Sequence, residues 1–355
     1  MATAATPTVY SYPAGEAGSM DAATAQHWEK EALDTLRPNL ICAEFAKRSG
    51  RAGVKRIPVR EGDIINMWRL PELDAQTTPL AETAADPNAS NISAAAVTAR
   101  CADYADYVNV SHKLPVVAVA DPFGEFGAAL RFGAMKTLDG LLRTEMTDNG
   151  TALYFDGETA ALSAASTLSA TTHKLTRAVL ESIATKLKVE KVPVFPKTGA
   201  YLYGSHPYTI KDARGDTGTG GWLDVEKALR DQPAHLRGAF IGRIAGFDVL
   251  ESTEIATAAD GASSTTVYRN LYGGYGGLAY VSLAGNWTPP EARTGDLIRK
   301  AGYKPPTKNI RLIYKGYKEG GPSNPLERRA TLGYLFTTAA KVLEAARCGT
   351  HLVTR

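Results

Sequence analysis

The sequence predicts an α+β fold. Three observations carry this. Two extended runs flank a polar, turn-rich stretch in the first third of the chain. One long helical pattern, Asp121 to Asn149, follows them. Alternating apolar residues then recur through a mixed middle to a strand-rich C-terminus.

The 355 residues allow one large or two ordinary domains with ample core. Hydrophobic content of 44% and charged content of 22% are those of a soluble globular chain. A formal net charge of +3 is too balanced to mark a dedicated nucleic-acid binder. Cys42, Cys101 and Cys348 are odd in number and far apart, so neither a disulfide framework nor a metal knuckle is expected. That usage fits a reducing cytoplasm. No apolar run is long enough to span a membrane, and the N-terminus lacks the basic and apolar regions of an export signal.

Met1 to Met20 is rich in Ala, Thr, Pro and Gly and buries too little apolar surface to fold alone. Asp21 to Leu36 predicts a short helix, ended by Pro38. Arg56 to Leu70 contains two strand-like runs around Glu61-Gly62-Asp63, and Ala94 to Val110 is a second long extended segment. With the polar Pro79–Ser93 stretch between them, they predict a hairpin. A lone hairpin is marginal in water, and its edges invite pairing. It is therefore either an ordinary pair of sheet strands or an arm laid across a neighbour.

In the Asp121–Asn149 helix, Asp121 suits the N-cap and Pro122 the first helical position. Phe123, Phe126, Leu130, Ala134, Leu138 and Leu141 supply the apolar stripe. Gly124, Gly127, Gly133 and Gly140 oppose the helix at about 1 kcal/mol each relative to Ala. Packing must hold it, and close approach to a sheet would explain the glycines.

Thr171 to Lys188 predicts a second helix with Leu175, Val179, Ile183 and Leu187 as its stripe. Ala200–His206 is expected as a strand, Trp222–Arg230 as a short helix and Arg243–Ser252 as one strand. Ala256–Thr266 is a polar excursion. Tyr268–Leu283 is strand-like, and Trp287–Lys308 is a long connection. Ile310–Tyr314 and the Leu332, Tyr334, Phe336 alternation are strands.

The search for chemistry returns little. The six histidines show no HExxH and no helical i, i+4 pair. There is no P-loop and no GxSxG elbow. Ser205 and His206 are adjacent, and neighbours in a strand point to opposite faces. Gly274, Gly276 and Ala279 fit a loose dinucleotide fingerprint, but LAYVSLAGNW follows, which favours strand where the fingerprint needs a helix. No catalytic, cofactor or metal residue is assigned. Arg51, Lys55, Arg56 and Arg60 form a basic cluster with Trp68 downstream. It suits either nucleic-acid contact or salt bridges to Glu72, Asp74 and Glu82 of another copy. Arg56, Arg60, Trp68, Glu72, Asp74 and Glu82 are the candidate interface residues.

Three segments carry a resemblance. Pro79-Leu80-Ala81-Glu82 precedes Val97–Ser111 with Tyr104, Tyr107 and Val108. Tyr201–Pro207 precedes Gly238–Ser252 with Ile241, Gly242, Arg243 and Gly246. Asn324-Pro325-Leu326 precedes Leu332-Gly333-Tyr334 and Ala339–Leu343. In this order they resemble the podovirus-type family of tailed-bacteriophage major capsid proteins. That shell fold is shared with herpesvirus capsid proteins and encapsulins. Asn324, Leu335 and His112 depart from the family's usual Asp, Lys and Asp.

The resemblance implies an N-terminal arm and short helix over 1–50 and an extended hairpin loop over 51–115. A peripheral domain with a long spine helix would follow over 116–170, an axial domain over 171–304 and a return to peripheral strands over 305–355. It implies no enzyme but a shell subunit of the virion, assembled in the bacterial cytoplasm as pentamers and hexamers around a double-stranded DNA genome. The implied partners are other copies of the chain, a portal protein, a separate scaffolding protein and a decoration or cement protein. Packaged DNA would be enclosed without sequence-specific binding. Neither N-terminal processing nor a covalent crosslink is expected. Two alternatives stay open: an encapsulin-like compartment shell, and a cytoplasmic enzyme holding a nucleotide at Gly274–Ala279.

Overall fold

The structure is a computed structural model that describes residues 38–57, 62–69, 73, 75, 77, 94–117, 122–156, 160–161, 168–169, 173–214, 240–283, 311–317 and 326–354. In chain order its elements begin with α1 (Cys42–Arg48), β1 (Val54–Ile57), β2 (Ile64–Arg69), β3 (Ala95–Arg100) and β4 (Ala102–Ser111). There follow α2 (Leu114–Val117), α3 (Pro122–Asn149), β5 (Thr151–Asp156), β6 (Ala160–Ala161) and α4 (Arg177–Val189). Next come β7 (Tyr201–Ser205), α5 (Pro207–Arg214), β8 (Phe240–Ile244), β9 (Phe247–Glu251), β10 (Thr257–Ala258), β11 (Val267–Gly273) and β12 (Leu278–Leu283). The chain closes with β13 (Arg311–Lys315), β14 (Arg329–Val342) and β15 (Cys348–Thr354). The expected Asp21–Leu36 and Trp222–Arg230 helices, the Asp121 cap, the hairpin tip and the Trp287–Lys308 connection lie outside the described residues.

β14 organises the first sheet. One edge of this 14-residue strand pairs antiparallel with β4 from Arg329↔Ser111 to Thr338↔Ala102. Its other edge serves two strands in turn, β13 at Thr331–Leu335 and β12 at Thr338–Val342. β1 closes the sheet, parallel to β12. The second sheet has the order β6-β5-β15-β11-β7-β9-β8, with β10 on β11. β2 and β3 form a separate two-stranded ribbon. Of the last three strands, β13 and β14 belong to the first sheet and β15 to the second.

α3 lies on the first sheet. Leu130 and Ala134 pack with Leu332, Tyr334 and Phe336 of β14. Further along, Leu138, Leu142 and Met146 enter a core shared with α1 and with Leu202, Leu250 and Leu271 of the second sheet. The buried stripe is therefore an i, i+4 row that ends on Leu142 and Met146, and Leu141 is only half-buried. The side chain of Phe123 lies outside the described residues. The expected reason for the helix glycines is corrected. A Cβ on Gly127, Gly133 or Gly140 would meet nothing nearer than 3.9 Å, so no close approach requires them.

α4 covers the other face of the second sheet. It begins later than expected, at Arg177, because Thr176 is the cap: its side chain accepts from the Val179 N–H. Leu175, Val179, Ile183 and Leu187 are buried as the pattern predicts, against Tyr201, Tyr203, Phe247 and Val249. β7 and β9 alternate between this cluster and the α3 side, so both of their faces are covered and the strands read as continuous apolar runs. Arg243–Ser252 is not one strand. It turns at Ala245 (φ 49°) and Gly246 (φ 83°), and β8 and β9 form a hairpin. Ala94–Val110 also divides, at Cys101: β3 belongs to the ribbon and β4 to the first sheet. Among the described residues no helix is long and apolar enough to cross a membrane.

Candidate assembly surface

The β2–β3 ribbon has two unlike faces. Opposed residues in an antiparallel pair share a face, and successive residues alternate. Ile65 and Met67 lie opposite Ala99 and Val97. Ile65, Met67 and Ala99 pack onto Ile57, Val281 and Ala339 of the same subunit. The other face holds Ile64 opposite Arg100, Asn66 opposite Thr98 and Trp68 opposite Ala96. There Trp68 is 70% exposed and Ile64 47%. Thr98 donates to Asn66 Oδ1 at 2.7 Å, and Arg100 pairs with Asp63 at 2.8 Å, holding the Asp63 carboxyl below its ordinary range. Two strands of six residues make a ribbon about 20 Å long. Its outer edges carry backbone groups that pair with nothing else among the described residues.

The root of the ribbon is tied to the core. The Cys101 N–H donates to the Asp63 carbonyl at 2.9 Å. Arg69 bridges to Glu344 at 2.6 Å, and Glu344 also holds Arg347. Between ribbon and core lies a cleft of about 210 Å³. Lys55, Arg69, Glu344 and Arg347 supply its charge, Met67 and Val97 its apolar wall, and Trp68 its rim.

The structure sorts the expected interface residues. Lys55 and Trp68 come together at this cleft, with Arg69, which the sequence reading did not single out. Arg56 is exposed on β1 and points away from Lys55, its neighbour in the strand. Arg60, Glu72, Asp74 and Glu82 lie outside the described residues.

Elsewhere the polar groups serve the fold. Asp248 is fully buried and binds Arg48 at 2.7 Å and Arg243 at 2.9 Å, joining α1 to β9. Glu254 pairs with Lys136 at 2.9 Å, against α3. His351 is buried against the Tyr203 hydroxyl at 2.8 Å, and burial pushes its imidazole down to about 3. Ser205 is hydrogen-bonded to Thr209 at 2.6 Å, while His206 Nδ1 accepts from the Tyr208 N–H, so they form no dyad. β12 follows Gly274–Gly277, which fails the helix condition of a dinucleotide loop. A Cβ on Gly274 would stand 2.5 Å from Val192, so close packing explains that glycine. The three cysteines are free and buried, and burial raises the Cys348 thiol to about 12. No group of three metal-ligating side chains occurs among the described residues.

Solved structures share this fold along almost their whole length. The capsid of Ralstonia phage GP4 matches with a TM-score of 0.68 at 13% identity, covering 98% of each chain. The capsid of Cyanophage P-SCSP1u matches with a TM-score of 0.60 at 13% identity, again covering 98% of each. This chain has the tailed-phage capsid fold. A third structure, from Mycobacterium phage Che8, matches with a TM-score of 0.58 at 13% identity over 92% of this chain and 96% of its own. No protein-family model matches the sequence, and no curated protein does.

Proposed function

We propose that this chain is a major capsid protein, a non-enzymatic subunit of a virion shell. Its copies assemble as pentamers and hexamers into an icosahedral shell around a double-stranded DNA phage genome. The observation that carries this reading is the ribbon with one face on its own subunit and the other, bearing Trp68 and Ile64, uncovered. A monomer gains nothing from that face. A neighbour would bury it, and enclosing one large apolar side chain contributes about 1.5–3 kcal/mol. Ordering costs reduce that gain at each contact. Repeated around every capsomer, the remainder holds a shell.

The partners of this reading are other copies of the chain, a portal protein, a separate scaffolding protein and a decoration protein on the outside. Assembly takes place in the host bacterial cytoplasm. A net charge of +3 agrees with DNA that is enclosed rather than gripped. The test is sedimentation of the full chain, expressed alone and with its candidate scaffold. Fast-sedimenting particles that need the scaffold for uniform size support the reading. A small, soluble species in both cases contradicts it.

A further inference from the structure

The cleft at the ribbon root carries more positive charge than its own subunit uses. Lys55, Arg69 and Arg347 face it, and Glu344 is the carboxylate that answers them. Glu344 is shared by the two arginines, and Lys55 has no ion pair among the described residues. The wall formed by Met67 and Val97 is apolar. The cleft therefore suits an apolar side chain flanked by carboxylates. The chain contains such a stretch: Leu73 stands between Glu72 and Asp74. In its own subunit Leu73 is 51% exposed and does not line the cleft.

We infer that the cleft receives the Glu72–Leu73–Asp74 stretch of a second copy of this chain. This rests on the shell reading and adds a specific docking site to it. Leu73 of one copy enters the wall at Met67 and Val97. The flanking carboxylates meet Lys55 and the two arginines. Donor stretch and acceptor cleft are different surfaces, so the contact is head-to-tail. A head-to-tail contact closes into a ring when the rotation between copies allows it. Charge complementarity of this kind sets partner choice and register more than affinity.

The experiment is a disulfide trap in the full chain, co-expressed with its candidate scaffold. Lys55→Cys and Asp74→Cys are made singly and together. The native cysteines are buried, so background crosslinking is low. The inference expects particles of the double variant to give a ladder of covalent oligomers on non-reducing gels, absent from either single variant. Particles without a ladder overturn it. So does a crosslink confined to the monomer, because the segment then fills its own cleft. A parent protein that makes no particles overturns the shell reading itself, and the inference with it. Parent protein that retains a labelled oligonucleotide, lost in Lys55→Glu, assigns the cleft to nucleic acid if the ladder is also absent.

Discussion

The Asp139 carboxylate, inside α3, accepts a 2.7 Å hydrogen bond from the Cys42 backbone N–H at the start of α1. Ile41, the residue preceding α1, offers no side-chain cap. A helix 97 positions away in sequence therefore supplies one. Burial raises the Asp139 carboxyl above its ordinary range, and the Cys42 N–H partly offsets that. Asp139→Ala leaves a buried N–H without its acceptor and should destabilise the chain by about 1–3 kcal/mol. Asp139→Asn keeps an acceptor and should cost less. Denaturant unfolding of the two variants checks the order, and equal losses would show that the cap contributes nothing.

Asp248 should matter more than either arginine it holds. Asp248→Ala strands the buried Arg48, and breaking a buried pair from one side costs about 3–5 kcal/mol. Arg48→Met leaves Asp248 with Arg243 at 2.9 Å and should cost clearly less. Thermal unfolding of both variants tests this, and the reverse order would contradict the assigned geometry.

Helix α3 is improvable. Gly133→Ala places its Cβ 3.9 Å from the Tyr334 ring, an ordinary contact. It should stabilise the chain by up to about 1 kcal/mol. Gly349→Ala should be severely destabilising, because its Cβ would fall 2.0 Å from the Thr151 carbonyl oxygen. Melting temperatures moving in opposite directions verify the pair.

His351 makes stability fall on acidification. Its imidazole titrates at about 3 in the folded chain and near 6.5 when unfolded. Between those values the unfolded chain binds the extra proton. Stability therefore drops as pH falls from about 6.5 towards 3, by about 1.4 kcal/mol per pH unit from this group. His351→Gln removes the titration and should flatten the melting profile over that window. An unchanged slope would remove His351 as the cause.

Much of this fold is legible in the sequence, and the misses have physical reasons. The long helix, the ribbon strands and the β14 alternation announce themselves by period. The β8–β9 turn hides because Ala245-Gly246 interrupts an apolar run without a polar turn residue. The start of α4 was obscured by three hydroxyl residues, Thr171, Thr172 and Thr176, of which Thr176 caps. At the candidate surface, Lys55 and Trp68 stand out as a cation and an aromatic near a strand end. Glu344 does not, since only folding brings it to Arg69 and Arg347. Asp248 left one trace, a lone charge within the apolar FDVLE run.

Trp68 separates folding from assembly. With Trp68 70% exposed, Trp68→Ala should leave monomer stability within about 0.5 kcal/mol of the parent. Particle yield should fall sharply. Undiminished yield would mean that the outer ribbon face is not a contact.

The most direct measurement is negative-stain electron microscopy of the full chain with its candidate scaffold. Closed angular shells, or five- and six-membered rings, are the result this account predicts. A monodisperse monomer or small oligomer under every condition would contradict it.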